Sequence, residues 1–447
     1  MGLSGLVIYK LLPKTNCKEC GFPTCLAFAM KLAARQVELS ACPYVSDEAK
    51  AQLDAASAPP IRLVTVGAGD RKVEAGNETV LFRHEKTFYH QPGIFYRLGD
   101  DASAEDFAAQ VQEIADYQIE RVGIAMNASG VVVENRSGDA ATFGARVDQA
   151  VKAGLAVILS SENPAAIEAG LKAAQGVAPL IYAATEDNWE AMADLAVRFK
   201  APLAVKGNGD LDSLAALAEK LDGKGAQDLV LDPGVRDWAG SLEAATQVRR
   251  LAIKKNYRAL GYPIIVFPGA NTDDVEEEAL LASQGIAKYA GFVVLDHFDP
   301  AALYALLTLR QNIYTDPQKP IQVSPGLYEI GNPRPESPLL VTTNFSLTYF
   351  SVAGELEASG IPAWLLITDS EGMSVLTAWA AGKFDAERIA KAVNTMGVLE
   401  KVAHRKIIIP GMVSSISGDL EEELPGWQIL VGPREAIGIP AFLKQFA

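Results

Sequence analysis

Residues 203–232 read LAVKGNGDLDSLAALAEKLDGKGAQDLVLD. An apolar run at 203–206 is followed by an amphipathic helical stretch at 211–221 and a second apolar run at 229–232. Short runs of three apolar residues closed by a charged one, on either side of a helical segment, describe a β-α-β unit, which lays its two strands parallel.

The pattern repeats outward in both directions. Strands are expected at 79–83, 121–125, 155–159, 180–183, 203–206, 229–232, 264–267 and 291–295, with helical stretches such as 103–117, 189–199, 211–221 and 241–256 between them. Eight strands alternating with helices predict an α/β chain with a central (β/α)8 TIM barrel at 61–315. Counting leaves an open doubly wound sheet as the alternative. A strand at 61–66 leads in, and Gly67-Ala68-Gly69 after it reads as a turn, since no Walker or complete dinucleotide fingerprint is present.

A Pro-rich linker at 316–337 follows, with Pro317, Pro320, Pro325, Pro333 and Pro335. Residues 338–447 alternate again, with strands at 339–342, 363–367, 406–409 and 428–431 and helices at 347–359, 374–381 and 386–396, and predict a small Rossmann-like parallel sheet. Ligands of such sheets sit at the carboxyl ends of the strands. The loops expected there are Thr342-Thr343-Asn344, residues 368–374, residues 410–415 and residues 432–436. They are small, hydroxyl-bearing and glycine-rich, as suits either close approach to a large ligand or plain strand-to-helix turns.

The four cysteines are Cys17, Cys20, Cys25 and Cys42, spaced C-x2-C-x4-C-x16-C. A disulfide framework does not suit a long chain without a secretion signal, so the thiolates point to a metal centre. The second C-x2-C knuckle of a structural zinc site is missing. Three close cysteines and a distant fourth fit a cubane iron–sulfur cluster better, with zinc as the alternative. Gly21 and Pro23 can supply the turns, and residues 26–32 a helix leading towards Cys42. This small module is expected over 1–60.

Composition limits the remaining choices. With 49% hydrophobic residues, 21% charged residues and a net charge of −15, the chain is globular and unsuited to nucleic acid or anionic membrane. No apolar run approaches the roughly 20 residues of a membrane span. No signal peptide is read at the start, so a cytoplasmic location is expected.

Cys17-Lys18-Glu19-Cys20-Gly21-Phe22-Pro23-Thr24-Cys25 with Cys42-Pro43, ahead of a barrel and a small α/β domain, resembles the large (gamma) subunit of corrinoid iron–sulfur proteins over the whole chain. The resemblance implies a [4Fe–4S] cluster on the four cysteines and a cobalt-containing, cobalamin-type corrinoid on the C-terminal domain. It implies a heterodimer with a small corrinoid iron–sulfur protein subunit, in the anaerobic reductive acetyl-CoA (Wood–Ljungdahl) system of carbon fixation. The corrinoid takes a methyl group from methyltetrahydrofolate through a methyltransferase and delivers it to the nickel centre of acetyl-CoA synthase. The cluster, with a reductive activator, restores Co(I) from Co(II). Such a chain is a methyl carrier within a corrinoid-dependent methyltransferase system, and its chemistry uses no protein side chain as catalyst. Carried over by position, the corrinoid contacts are Thr342, Thr348, Gly372, Met373, Ser374, Val375 and Ala436, with Ser374 nearest the lower cobalt face.

No D-x-H-x-x-G loop supplies an axial imidazole, and the lone histidine of the last domain, His404, precedes a strand. Asp232-Pro233-Gly234 and Asn208, at strand ends of a barrel resembling pterin-binding methyltransferases, are read as structural. His84 and His90 flank the aromatic Phe88-Tyr89 and Phe95-Tyr96 and are read as domain packing. His297, beside Asp296, has no partner at a diagnostic spacing. The acidic runs at 276–278 and 421–423 are read as solvated faces. Two rival functions remain open: a pterin-dependent methyltransferase with a redox domain, and an iron–sulfur electron-transfer scaffold.

Overall fold

The computed structural model describes residues 5–33, 37, 39–46, 49–50, 53, 59–121, 124–316 and 321–445. Most of residues 51–60, expected to close the cysteine module, and Pro317 and Pro320 lie outside them.

Helices Gly5–Leu11 and Cys25–Ala33 pack together around a small core of Ile8, Leu12, Phe28, Ala29 and Val45. An antiparallel hairpin of β1 (Val64–Val66) and β2 (Val73–Ala75) then leads into the largest part of the molecule. Strands β3 (Gly93–Gly99), β4 (Gln118–Arg121), β5 (Ile124–Asn127), β6 (Gly130–Glu134), β7 (Ala156–Ser160) and β8 (Leu180–Ala184) follow. Next come β9 (Leu203–Lys206), β10 (Leu229–Asp232), β11 (Ile264–Val266) and β12 (Ala290–Leu295). All but β4 and β5 form one closed eight-stranded barrel, parallel throughout, in which β12 pairs with β3. Closure settles the choice against an open sheet.

These strands read as unbroken apolar runs because both faces are buried. Phe95, Val132, Ile158, Ala204, Val230, Ile265 and Phe292 fill the interior, and the surrounding helices cover the outside. The β1–β2 hairpin plugs the amino end of the barrel with Val64, Val66, Val73 and Ala75. Most barrel helices begin at a side-chain cap that takes up an unpaired backbone N–H. Ser103 accepts from the Asp106 N–H, Asp139 from Thr142, Asp210 from Ser213 and Asp299 from Ala302.

Two of the expected barrel strands are displaced. Residues 79–83 form no strand: Glu85 accepts the N–H groups of Leu81 and Phe82, and Arg83 donates to the carbonyls of Asn312, Ile313 and Thr315. The segment is a strap over the last barrel helix in which Leu81 is buried, Val80 is half-buried and Phe82 is exposed, and no strand pairs with it. Residues 121–125 straddle the β4–β5 hairpin, which stands outside the barrel. The true first two strands are β3, which contains Phe95 and Tyr96, and β6. Phe95 and Tyr96 are therefore barrel core, not a domain contact.

The remaining strands are β13 (Gly326–Ile330), β14 (Leu339–Thr343), β15 (Ala363–Thr368), β16 (Lys406–Ile409) and β17 (Gln428–Val431). They form a sheet in the order β13-β15-β14-β16-β17, parallel except for β13 at one edge. Residues 316–337, read from their prolines as a linker, thus contain a strand paired with β15 over five residues. An edge strand needs only one row of backbone partners, so prolines flanking it are tolerated.

Candidate functional site

The last sheet reverses direction at β14. From there the chain passes to β15 on one side and to β16 and β17 on the other. Loops leaving the carboxyl ends of adjacent strands in opposite directions leave a crevice between them. Here it is a cleft of about 430 Å³ lined by Thr342, Thr348, Ser374, Val375, Met412 and Ala436, among others. Of the seven expected contacts, five are brought together: Thr342, Thr348, Ser374, Val375 and Ala436.

Gly372 and Met373 do not line it. Gly372 sits at φ +71, where a Cβ would strike the Gln322 side chain, and its N–H donates to Asn344 Oδ1 at 3.0 Å. Met373 packs against the apolar core beneath.

Asn344, 1% exposed, organises this end of the sheet, and no role was read for it in the sequence. Its Oδ1 accepts the N–H groups of Ser370 and Gly372, both at 3.0 Å, and its carbonyl accepts the Val323 N–H at 2.9 Å. One side chain therefore sets the loop after β15. The loops after β16 and β17 are held by direct backbone bonds, Gly411 N–H to the Pro433 carbonyl at 3.0 Å and Gly432 N–H to Ile409 at 2.9 Å. A Cβ on Gly411 would lie 2.4 Å from the Gly432 carbonyl oxygen, so only glycine permits this approach.

Two features mark the cleft as built for a ligand. The Thr342 hydroxyl is buried in its wall without a hydrogen-bond partner, a cost that a native fold rarely leaves unanswered. At the rim, Leu347, Leu376 and Met412 are 65%, 46% and 42% exposed, apolar surface that a broad ligand or a second protein would cover. No histidine lines the cleft. His404 lies at the amino end of β16, away from it, with Nε2 donating to the Ser337 carbonyl and Nδ1 accepting from the Lys406 N–H.

In the N-terminal module Cys25 and Cys42 are buried, Cys20 is half-buried and Cys17 is exposed. The loop carrying them turns repeatedly through positive φ, at Lys14, Asn16, Lys18 and Gly21. Asn16 holds Cys25 from both sides: its Oδ1 accepts the Cys25 N–H at 2.8 Å, and its own N–H points to Cys25 Sγ at 3.4 Å. An N–H directed at sulfur stabilises thiolate, the form that binds metal. The Tyr44 hydroxyl donates to Glu19 at 2.8 Å and is pushed up mainly by that carboxylate. Among the described residues no three His, Cys, Asp or Glu side chains are drawn up to hold a single metal ion. Cys17 and Cys20 lie on the loop, Cys25 opens the helix and Cys42 follows the 3-10 turn Leu39–Ala41, and this soft all-thiolate donor set suits a cubane cluster.

The barrel mouth is a cleft of about 540 Å³ whose charges are paired internally. Buried Asp232 accepts from Arg236, from Tyr182 Oη at 2.6 Å and from the Gly234 N–H at 2.9 Å. Burial first, then Asp232, pushes the Tyr182 hydroxyl up. Arg97 pairs with Asp296, and His297 Nδ1 lies 3.0 Å from Glu278 Oε2, a partner its sequence neighbourhood did not show. Asn208 Oδ1 caps the following turn by accepting from the Asp210 N–H and Ser213 Oγ.

A family model described as "CO dehydrogenase/acetyl-CoA synthase delta subunit" matches residues 63–443, and one described as "Putative Fe-S cluster" matches residues 12–44. The corrinoid/iron-sulfur protein large subunit of Moorella thermoacetica is 48% identical over 446 residues, 99% of each chain. The acetyl-CoA decarbonylase/synthase complex subunit gamma of Methanopyrus kandleri is 38% identical, over 99% of this chain and 98% of its own. That of Methanosarcina acetivorans is 36% identical over the same shares. A solved dihydropteroate synthase from Thermus thermophilus aligns with 57% of this chain and 100% of its own at 15% identity and TM-score 0.39, too low to carry an argument. Agreement along the full length, cysteine module included, shows that this chain belongs to the CO dehydrogenase/acetyl-CoA synthase delta subunit family and groups within it with the corrinoid/iron–sulfur protein large subunits.

Proposed function

We propose that the chain is a methyl-group carrier that holds a corrinoid in the C-terminal cleft and a [4Fe–4S] cluster on Cys17, Cys20, Cys25 and Cys42. The observation that carries this reading is the apolar-rimmed cleft at the β14 switch point, with the unpartnered Thr342 hydroxyl in its wall. When bound, the corrinoid supplies a cobalt nucleophile that accepts a methyl group and gives it up again.

The chain's own residues bind and orient that group. Thr342 and Thr348 offer hydroxyls, and Ser374, whose Oγ lies 3.0 Å from Thr377 Oγ1, stands at the entry of helix Val375–Ala380. Val375, Leu376 and Met412 exclude water from one face. No histidine lines the cleft, so its described lining side chains would hold a bound corrinoid through hydroxyl and apolar contacts and would offer its metal no imidazole. Gly372 and Met373 belong to the reading as supports of the loop.

The partners that follow are the small subunit, a methyltetrahydrofolate methyltransferase, acetyl-CoA synthase and a reductive activator. In this reading residues 1–60 form the cluster module and 61–315 the barrel. The corrinoid unit at 338–447 reaches back to about Ile321, because Ile321 and Val323 pack into its core. Among the described residues no helix is long and apolar enough to cross a membrane, and a cytoplasmic location is part of the proposal.

The test is anaerobic co-purification with the small subunit from a corrinoid-producing host, with metal analysis and spectra during stepwise reduction. Stoichiometric cobalt, about four irons per chain and a Co(I) band on reduction are expected. Iron without cobalt would remove the carrier role. Thr342→Val refines the test at the residue level. It removes a buried, unpaired hydroxyl at nearly constant volume, so the corrinoid-free protein should be unchanged or about 1 kcal/mol more stable. Corrinoid affinity should fall by about tenfold, the worth of one buried hydrogen bond of about 1.4 kcal/mol. Thermal melts and cobalt titration separate the two effects.

A further inference from the structure

A second cavity, of about 320 Å³, opens at the amino end of the barrel, the end opposite the mouth. Its walls are the turn between β1 and β2, the segment 89–93 that enters β3, residues Asn127 and Ser129 before β6, and Arg310 from helix Pro300–Tyr314.

Its charges are unusual. Arg310 is 8% exposed, and no ion pair among the described residues includes it. Its Nη1 donates to the Pro92 carbonyl at 3.0 Å and its Nη2 reaches the Asn127 carbonyl at 3.5 Å, while its Nε is buried without a partner. Arg71 also points to carbonyls alone, Ala128 at 2.7 Å and Ala115 at 2.6 Å. The two guanidiniums thus meet the carbonyls of adjacent residues, 127 and 128, from two different elements. Burial pushes both downward, Arg310 to about 10.

Asp116 acts on Arg71 and opposes the effect of its burial, whereas no carboxylate among the described residues pairs with Arg310. Glu74 pairs with Lys72 at 2.9 Å, and Glu78 behind the wall is spent on Arg249 and on the N–H groups of Tyr89 and His90. Those last bonds also fix the 89–93 wall in advance. The lining holds Arg71, Lys72 and Arg310 against Asp70 and Glu74, a positive surplus on a chain of net charge −15.

An uncompensated buried cation costs several kcal/mol, and a small anion repays it. We propose that this cavity is an oxyanion site that takes the phosphate group of a small molecule. Each guanidinium keeps N–H groups beyond those it gives to carbonyls, and single donors converging from two elements match the several oxygens of a tetrahedral anion better than one planar carboxylate. The cavity exceeds what a bare ion fills, which leaves room for a small organic ester. The site shares no lining residue with the C-terminal cleft and does not depend on the methyl-carrier reading.

The test is calorimetric titration of the full-length protein with inorganic phosphate and with glycerol 3-phosphate, at ionic strength fixed by chloride. Saturable one-to-one binding is expected, with Kd on the order of 10 μM to 1 mM. Tighter binding of the ester identifies an organic phosphate as the occupant, and equal binding identifies the free ion. Arg310→Met should weaken binding by about tenfold or more. Because that change can unfold the barrel, Arg71→Gln at the less buried position is the second variant, with a loss of about fivefold at unchanged circular dichroism. No saturable heat from either ligand, or wild-type affinity in both variants, would overturn the assignment.

Discussion

Cys20→Ala yields a protein that has lost its cluster and still binds corrinoid. Cys20 is the half-buried member of the four and lies between the exposed Cys17 and the buried Cys25 and Cys42. Three thiolates leave one iron corner of a cubane without a protein ligand. The helices behind them share only a small core, so the module itself should loosen. The barrel and the last sheet have separate, larger cores and should be unaffected. Iron per chain should fall from about four to below one, with cobalt unchanged. If the cluster passes electrons to cobalt as proposed, reactivation of Co(II) by a low-potential donor should slow by about a hundredfold or more. Metal analysis and stopped-flow reduction read both quantities. Loss of cobalt together with iron would show that the modules are not independent.

Asn344→Leu is expected to abolish corrinoid binding without touching the cleft wall. The substitution removes the oxygen that accepts the N–H groups of Ser370 and Gly372, leaving two buried donors unpaired. Each costs about 1–3 kcal/mol, so the last domain should lose about 2–6 kcal/mol and melt about 10 °C lower or more. The loop that presents Ser374 and Val375 would no longer have a fixed position. Asn344→Asp keeps an acceptor for both N–H groups but sets a second carboxylate beside Asp369, whose Oδ1 lies 3.4 Å from Asn344 Nδ2. It should therefore fall between wild type and the leucine variant in both melting point and cobalt content. Calorimetry and cobalt analysis decide this. Full cobalt occupancy in Asn344→Leu would show that the loop is held by other bonds.

How far such residues were legible depends on how local their signal is. Strands β9, β10, β16 and β17 agree with the apolar runs that announce them, because each run is short, unbroken and followed by a helical period. Residues 79–83 carry the same kind of run and form no strand. Only Leu81 of that run is buried, and a five-residue apolar run does not tell strand pairing from the packing of a single side chain. Strand β3 begins and ends in glycine, which weakens a strand's sequence signal, and a Cβ on Gly93 would collide with Val73 of the plug and with Phe95. Strand β13 was hidden by the prolines around it, which an edge strand tolerates.

The cleft shows the same division. Loop composition pointed to the carboxyl ends of the last strands, and five of seven expected contacts line one cavity there. The part played by Asn344 was not visible, since an asparagine after a strand reads as a turn until its partners, 26 and 28 residues away, are known. Gly372 was carried over by position as a backbone contact, and what the structure adds is that its positive φ and missing Cβ clear Gln322.

By itself the sequence determined the alternation of strands and helices, the four-cysteine spacing and the loops able to meet a large ligand. Each of these is written in a few consecutive residues. Tertiary structure alone decided that β12 closes on β3, that β13 joins the last sheet, that Asn344 sets a distant loop and that Arg310 and Arg71 converge on one cavity. Those outcomes depend on which distant backbone groups and charges become neighbours, and local periodicity carries no information about the identity of a long-range partner.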